Sequence, residues 1–214
     1  MTSLVLQIDE EIEKRSLLKH PFYEMWSKGE LTRDHLRGYS LEYFQLVKAV
    51  PEMVRNIEEK SGSGLKGKIK ENQREESEHI HLWTKFAKTL GISNSDLMGH
   101  VGAQGTMLAV DEMTLLTRSS LGAGVAAMYA YERDLPKIST TKIRGLKEFY
   151  GMDNADSLEY FREHEVADVR HAAVWRNILE DMSSTESQNL LGAAKSSLDS
   201  QNRLLDCVME KYVS

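Results

Sequence analysis

An all-α fold is predicted for this chain by three observations: prolines are scarce, apolar residues recur at threes and fours rather than alternating, and the stretches between glycine-rich breaks run long. The prolines are Pro21, Pro51 and Pro136. Helices are expected near 3–19, 32–59, 65–90, 104–119, 121–150, 155–182 and 185–212, about seven in all, with a short turn of helix near 94–99. Pro51 should kink or break the second and Pro136 the fifth, because proline lacks an amide proton and its ring clashes with the preceding turn. The run "SGSGLKGK" at 61–68 is the clearest loop, "GISNSDLMGH" at 91–100 is another, and neither is long enough to link two domains. In the last helix Leu191, Ala194, Leu198, Leu205, Val208 and Tyr212 form an apolar stripe, and Thr185 with Gln188 reads as a capping box. Without a linker, an internal repeat or a low-complexity tract, residues 1–214 are read as one domain.

Composition narrows the function classes. A formal net charge of −6, spread over mixed acids and bases, leaves no basic patch with interleaved aromatics, so nucleic acid is not an expected partner. The single cysteine, Cys207, excludes an intrachain disulfide. "MTSLVLQIDEEIEKR" turns acidic too soon for a secretory leader, and "SSLGAGVAAMYAY" is too short for a membrane span, so a cytoplasmic protein without membrane association is expected.

The segment "HEVADVRH", residues 164–171, carries His164, Asp168 and His171 at intervals of four and three. At about 100° per residue these side chains fall on one helix face, as imidazole, carboxylate and imidazole. That row reads either as a metal-ligand set or as part of a charged, solvated face, since Glu163, Glu165 and Arg170 surround it. Facing helices of a bundle would supply the other ligands. In "ENQREESEHIHLW" Glu75 and His79 sit four apart; Glu76 with His79, or Glu78 with His81, are rival pairings. In "GAGVAAMYAYERDLP" Glu132 is the only acid among small and aromatic residues, costly to bury without a cation. Three imidazoles and three carboxylates suit iron or manganese better than structural zinc, and six ligands have the capacity for two metals.

With these residues in view, the chain resembles the heme-oxygenase-like di-metal oxidases, and within them the family of the chlamydial protein associating with death domains. The resemblance is carried by "HPFYEMWSKGELT" at 20–32, "HIHLW" at 79–83, "AGVAAMYAYERDLPKI" and "KIRGLKEFYG" between 123 and 151, and "YFREHEVADVRHA" at 160–172. It implies a heme-oxygenase-like bundle, metal ligands at Glu75, His79, Glu132, His164, Asp168 and His171, and a centre of two transition-metal ions, Fe/Fe or Fe/Mn, working with dioxygen and an external reductant. It further implies synthesis of p-aminobenzoate for folate from the protein's own tyrosine, matching Tyr23, with a lysine matching Lys142 as amine donor. Tyr39, Tyr131 and Tyr160 match tyrosines near that family's site and would relay or dissipate oxidising equivalents. A homodimer is implied, and death-domain proteins are partners only by analogy. In the relatives more residues separate the first glutamate from its histidine than here, where Glu75 and His79 are four apart.

Three other functions are compatible with parts of this pattern. A di-metal oxygenase of the same fold could act on an external small molecule, with Tyr23 merely lining the pocket. A thiaminase-type enzyme would need a mid-chain nucleophilic cysteine, whereas Cys207 lies on the packing side of the last helix. A pure interaction module would leave six ligand-type residues idle. His20, His35, His81 and His100 are assigned to structure or surface.

Overall fold

The computed structural model describes residues 3–182 and 187–214, and every regular element among them is helical. The expected first helix, 3–19, is α1 (Leu4–Lys14) followed by a 3-10 turn at Leu17–Lys19, and α2 (Pro21–Lys28), absent from the expectation, starts at Pro21. Proline at the first helical position loses no hydrogen bond, and the His20 ring caps the helix by accepting from the Phe22 amide. The second expected helix breaks as anticipated near Pro51, into α3 (Arg33–Val47) and α4 (Val50–Lys60). Likewise Pro136 separates α8 (Leu121–Glu132) from α9 (Leu135–Glu148).

Helix α5 (Ser63–Thr89) begins inside the expected 61–68 loop, which shrinks to Ser61 and Gly62, because Gly62 in extended conformation already starts the helix. The short α6 (Asn94–Gly99), α7 (Gln104–Ser119) and the long α10 (Ala155–Glu180) lie near their expected spans. In α11 (Ser187–Val208) the buried stripe includes Leu190, Ala194, Leu198, Leu205 and Val208; Leu191, expected in it, is only partly buried because Leu190 faces α8 instead. A π-helical turn, Met209–Val213, carries the half-buried Tyr212. The expected capping box lies outside the described residues, since Thr185 is not among them.

The helices enclose one continuous apolar core. Helix α4 packs on α5, α9 on α10 and α8 on α11, while α10 also packs on α5 and α8, and α2 packs on α9. Two helices carry polar residues where a core stripe should be apolar. On α5 the buried positions run Ile69, Asn72, Glu76, His79, Trp83, Phe86, at alternating threes and fours. On α10 Phe161, His164, Asp168, His171 and Trp175 do the same. Both stripes face the same interior, with the end of α8 between them. Among the described residues no helix is long and apolar enough to cross a membrane.

Candidate metal centre

Burying six ionisable groups together is costly unless each is compensated, and the residues at this junction are buried: Glu76, His79, Glu132, His164, Asp168 and His171 each expose 5 % or less. All but Asp168 form two overlapping groups whose ligand atoms lie within 4.8 Å of one another, Glu76–His79–His164 and Glu76–Glu132–His171. Glu76 belongs to both.

The imidazoles are oriented by what they donate to. His164 donates from Nδ1 to the Tyr160 carbonyl at 2.7 Å, leaving Nε2 with a free lone pair. His171 donates from Nε2 to Glu75 at 2.8 Å. Its Nδ1 then faces three carboxylates, 3.2 Å from Glu76, 3.6 Å from Asp168 and 4.0 Å from Glu132, with no hydrogen bond to any. His79 Nδ1 lies 3.2 Å from Glu76, and its ring sits 4.3 Å from that of His164.

Glu75, expected as the first carboxylate, is therefore not one of the inner group: it accepts from His171 and from Arg170 at 3.0 Å, at the rim. Neighbouring residues on a helix point about 100° apart, so only one of Glu75 and Glu76 can face inward. Glu76 does, because it lies midway between the core residues Ile69 and Trp83, seven positions from each. That spacing was the signal that distinguishes the pair. The rival His81 lines the surface, where a cleft of about 440 Å³ between α5 and α10 opens over His79 and Glu75.

Electrostatics mark the centre as incomplete without positive charge. Burial pushes the Glu132 carboxyl well above its usual range, against the pull of His171, and Glu76 and Asp168 push it further. Asp168 is raised by burial too, although His164 and His171 oppose the shift. Burial acts the same way on Glu76, but the close His171 and His79 imidazoles override it and hold that group low. Burial would lower His171, yet Asp168 and Glu76 raise it to about 11, so a protonated imidazole supplies a cation here. Both Asp168 oxygens, one Glu132 oxygen and His171 Nδ1 remain buried without a hydrogen-bond partner. Four orphaned polar atoms, all of them metal-donor types, fit transition-metal ions, which would replace the protons.

Against this centre stands a layer of aromatic rings. Tyr23 and Tyr39 are fully buried with hydroxyls 3.2 Å apart. Lys142, 2 % exposed, extends from α9 so that Nζ lies 5.4 Å from the Tyr23 ring centre, 5.5 Å from Tyr39 and 4.8 Å from Tyr43. Gly145, one turn after Lys142, makes this approach possible: a Cβ there would meet the Trp26 ring at 2.5 Å, and Trp26 is the residue that seats α2 on α9. Burial lowers the Lys142 ammonium to about 7, with Asp168 opposing. Tyr160 packs its ring 4.1 Å from His164, and Tyr131 precedes Glu132 on α8. Tyr43, which the sequence reading did not single out, sits in the middle of this layer; its position four residues after Tyr39 was the available signal. Cys207 packs against α7 at Gly105. Of the histidines assigned to structure or surface, His20 and His35 cap helices and His100 bonds Glu42.

Comparison with known proteins agrees with this picture. A family model described as iron-containing redox enzyme matches residues 41–201. The chain is 36% identical over 210 residues to a protein named 4-aminobenzoate synthase from Chlamydia muridarum, covering 95% of this chain and 89% of that one. It is 32% identical over 228 residues to a protein of the same name from Nitrosomonas europaea, covering 96% and 91%. Among solved structures, a TenA homologue from Pseudomonas syringae pv. tomato superposes with a TM-score of 0.83 at 17% identity, over 97% of this chain and 91% of that one. A CADD-like protein of unknown function from Nostoc punctiforme gives 0.79 at 15%, over 99% and 97%. These two likenesses establish the heme-oxygenase-like fold.

Proposed function

The chain belongs to the family of iron-containing redox enzymes with the heme-oxygenase-like fold, and from that premise we propose that it makes p-aminobenzoate from its own Tyr23, with Lys142 as the amine donor. The observation that carries this reading is the sealed contact between the Lys142 amine and the Tyr23 ring, 5.4 Å apart and both buried, beside a carboxylate–histidine centre. The names of the 32–36% identical relatives support the product.

Bond counting shows what is required. The product keeps six ring carbons and one carboxyl carbon para to nitrogen, which in Tyr23 are the ring and Cβ, para to the hydroxyl. Hence Cα–Cβ must break, Cβ must be oxidised to a carboxylate, the phenol oxygen must leave as water as nitrogen replaces it on the ring, and the Cε–Nζ bond of Lys142 must break to release that nitrogen. Glu76, His79, Glu132, His164, Asp168 and His171 would hold two metal ions, iron with iron or manganese, which when bound would supply dioxygen activation with an external reductant. The protein's own residues do the rest. Phe22, Trp26 and Tyr39 pack round the Tyr23 ring and keep water from it. Tyr39 holds the Tyr23 hydroxyl, ready to share its proton as an electron leaves the ring. The burial that lowers Lys142 leaves much of its amine unprotonated near neutral pH, with the lone pair a nucleophile needs.

Intact and peptide mass spectrometry on protein loaded anaerobically with ferrous iron and manganese, then exposed to dioxygen and reductant, tests this. Loss of side-chain mass at Tyr23, stoichiometric with p-aminobenzoate and absent in Tyr23→Phe, is expected. An intact Tyr23 despite dioxygen uptake would overturn it and shift the search for a substrate to the cleft over His79.

A further inference from the structure

Tyr23 and Trp26 are fully buried, so a product cut from the Tyr23 ring has no open path to solvent. Two cavities stand where such a path could end. The cleft over His79 is reached past the carboxylate–histidine centre, and its walls carry Glu75, Glu78, Glu159 and Glu163 against Arg74 and Arg170. A surplus of carboxylates repels an anion. The other is a pocket of about 260 Å³ where the chain between α2 and α3 meets the end of α9. Leu31, Leu36, Phe149, Tyr150 and Met152 give it apolar and aromatic walls, and Arg33 supplies a positive charge. An apolar cavity of about 150 Å³ already takes benzene, so this one has room for a ring with two small substituents. The Arg33 guanidinium donates to the Thr89 carbonyl, a neutral acceptor, and the adjacent Asp34 pairs with Arg37 instead. Between the pocket and Tyr23 stands Trp26, its ring 6.2 Å from that of Tyr23 and 5.8 Å from that of Tyr150. The hydrogen bonds that fix Trp26 to this seam are long: 3.3 Å from Nε1 to the Lys142 carbonyl, and 3.3 Å from the Tyr150 hydroxyl to the Trp26 carbonyl. The rest of the seam is side chain against bare backbone, since a Cβ at Gly29 would meet the Phe149 ring at 2.6 Å and one at Gly145 the Trp26 ring at 2.5 Å.

We infer that the pocket between α2, α3 and α9 is a binding site for an aromatic monocarboxylate, and that the product leaves Tyr23 through it with Trp26 as the partition. The route rests on the proposal that Tyr23 is released as p-aminobenzoate; the site rests on the pocket itself. No bond is made or broken in this step. Once Cα–Cβ is cut, packing alone holds the ring, and the Trp26 indole turns into the space it vacates as the product passes outward. Arg33 then meets the carboxylate, and Phe149 and Tyr150 meet the ring. Glu30, which with burial raises the Tyr150 hydroxyl, stands nearby. One exposed guanidinium opposed by that acid holds an anion weakly, as release requires. A merely structural cleft would need the apolar walls but not a guanidinium without a carboxylate partner.

The test starts from protein loaded with ferrous iron and manganese and kept anaerobic, so that Tyr23 stays whole. Equilibrium dialysis with radiolabelled p-aminobenzoate should show binding that benzoate displaces and aniline, which lacks the carboxylate, does not. In Arg33→Met the melting temperature should stay as in the parent while binding weakens by at least about tenfold. Dioxygen and reductant are then added. Met152→Trp, which fills the pocket, should lose the Tyr23 side chain at the parental rate yet carry p-aminobenzoate through rapid desalting, whereas the parent gives it up. The parent desalted in saturating benzoate should retain the product likewise. Absent binding, or equal binding in Arg33→Met, would overturn the site. Prompt release from the parent in benzoate and from a folded Met152→Trp would overturn the route. An intact Tyr23 in the parent, with Arg33-dependent binding preserved, would overturn the self-consuming reading and leave the site standing.

Discussion

Two buried carboxylate sites, one on α3 and one between α5, α8 and α10, solve the same problem in opposite ways. Glu42 is fully enclosed, yet its oxygens accept from Thr106 Oγ1 at 2.6 Å, the Ala103 amide at 2.8 Å, Lys211 at 2.9 Å, and His100 and Tyr212 at 3.1 Å each. Gly38 is part of that arrangement, since a Cβ there would meet the Tyr212 ring at 2.2 Å and keep its hydroxyl from Glu42. The result is a latch tying the C-terminal turn and the start of α7 to α3. Burial would raise Glu42, but these donors hold it down at about 2. By contrast, Glu132 and Asp168 are raised, and three of their oxygens have no partner. The protein is able to satisfy a buried carboxylate, so leaving these unsatisfied is a property of the site and marks a place for cations.

The comparison breaks most sharply on mutation. Glu42→Ala strands several donors and should cost about 3–5 kcal/mol, with or without metal, in denaturant titrations. Lys142→Met replaces a desolvated amine by an apolar chain of similar volume. It should stabilise the metal-free protein by about 1–4 kcal/mol, raise its melting temperature and abolish product formation. Glu132→Gln keeps the shape and removes an acid that burial disfavours. Metal-free stability should rise by about 1–3 kcal/mol while bound iron, read by elemental analysis, falls away. Should Glu132→Gln instead destabilise as Glu42→Ala does, the contrast between latch and centre fails. Glu75→Gln, which disturbs only the group orienting His171, should weaken metal binding by about 10–100-fold in competition with a chelator.

pH sharpens the same contrast. Glu42 has a folded value depressed below that of the unfolded chain, so its contribution is complete above about pH 5 and is lost as pH falls toward 2. Lys142 is depressed as a base, so between about pH 7 and 10.5 the unfolded chain binds the extra proton and stability rises with pH. Denaturation midpoints of the parent, Glu42→Gln and Lys142→Met across both ranges should show each slope vanish with its residue.

From the sequence alone, the all-helical class follows from scarce prolines and the three-four recurrence of apolar residues, because hydrogen bonding within a helix needs only local spacing. The breaks at Pro51 and Pro136 and the facing of His164, Asp168 and His171 are local in the same sense. Tertiary structure decided the rest. Whether Glu75 or Glu76 faces inward depends on the rotation at which α5 docks, and Ile69 and Trp83 set that rotation only once there is a core for them to enter. The meeting of Tyr23 with Lys142 depends on α2 reaching α9 over Gly145. Tyr43 stacks on Trp83 only because α3 packs against α5. Rotational phase and the approach of distant helices are fixed by packing many side chains at once, which no single segment encodes.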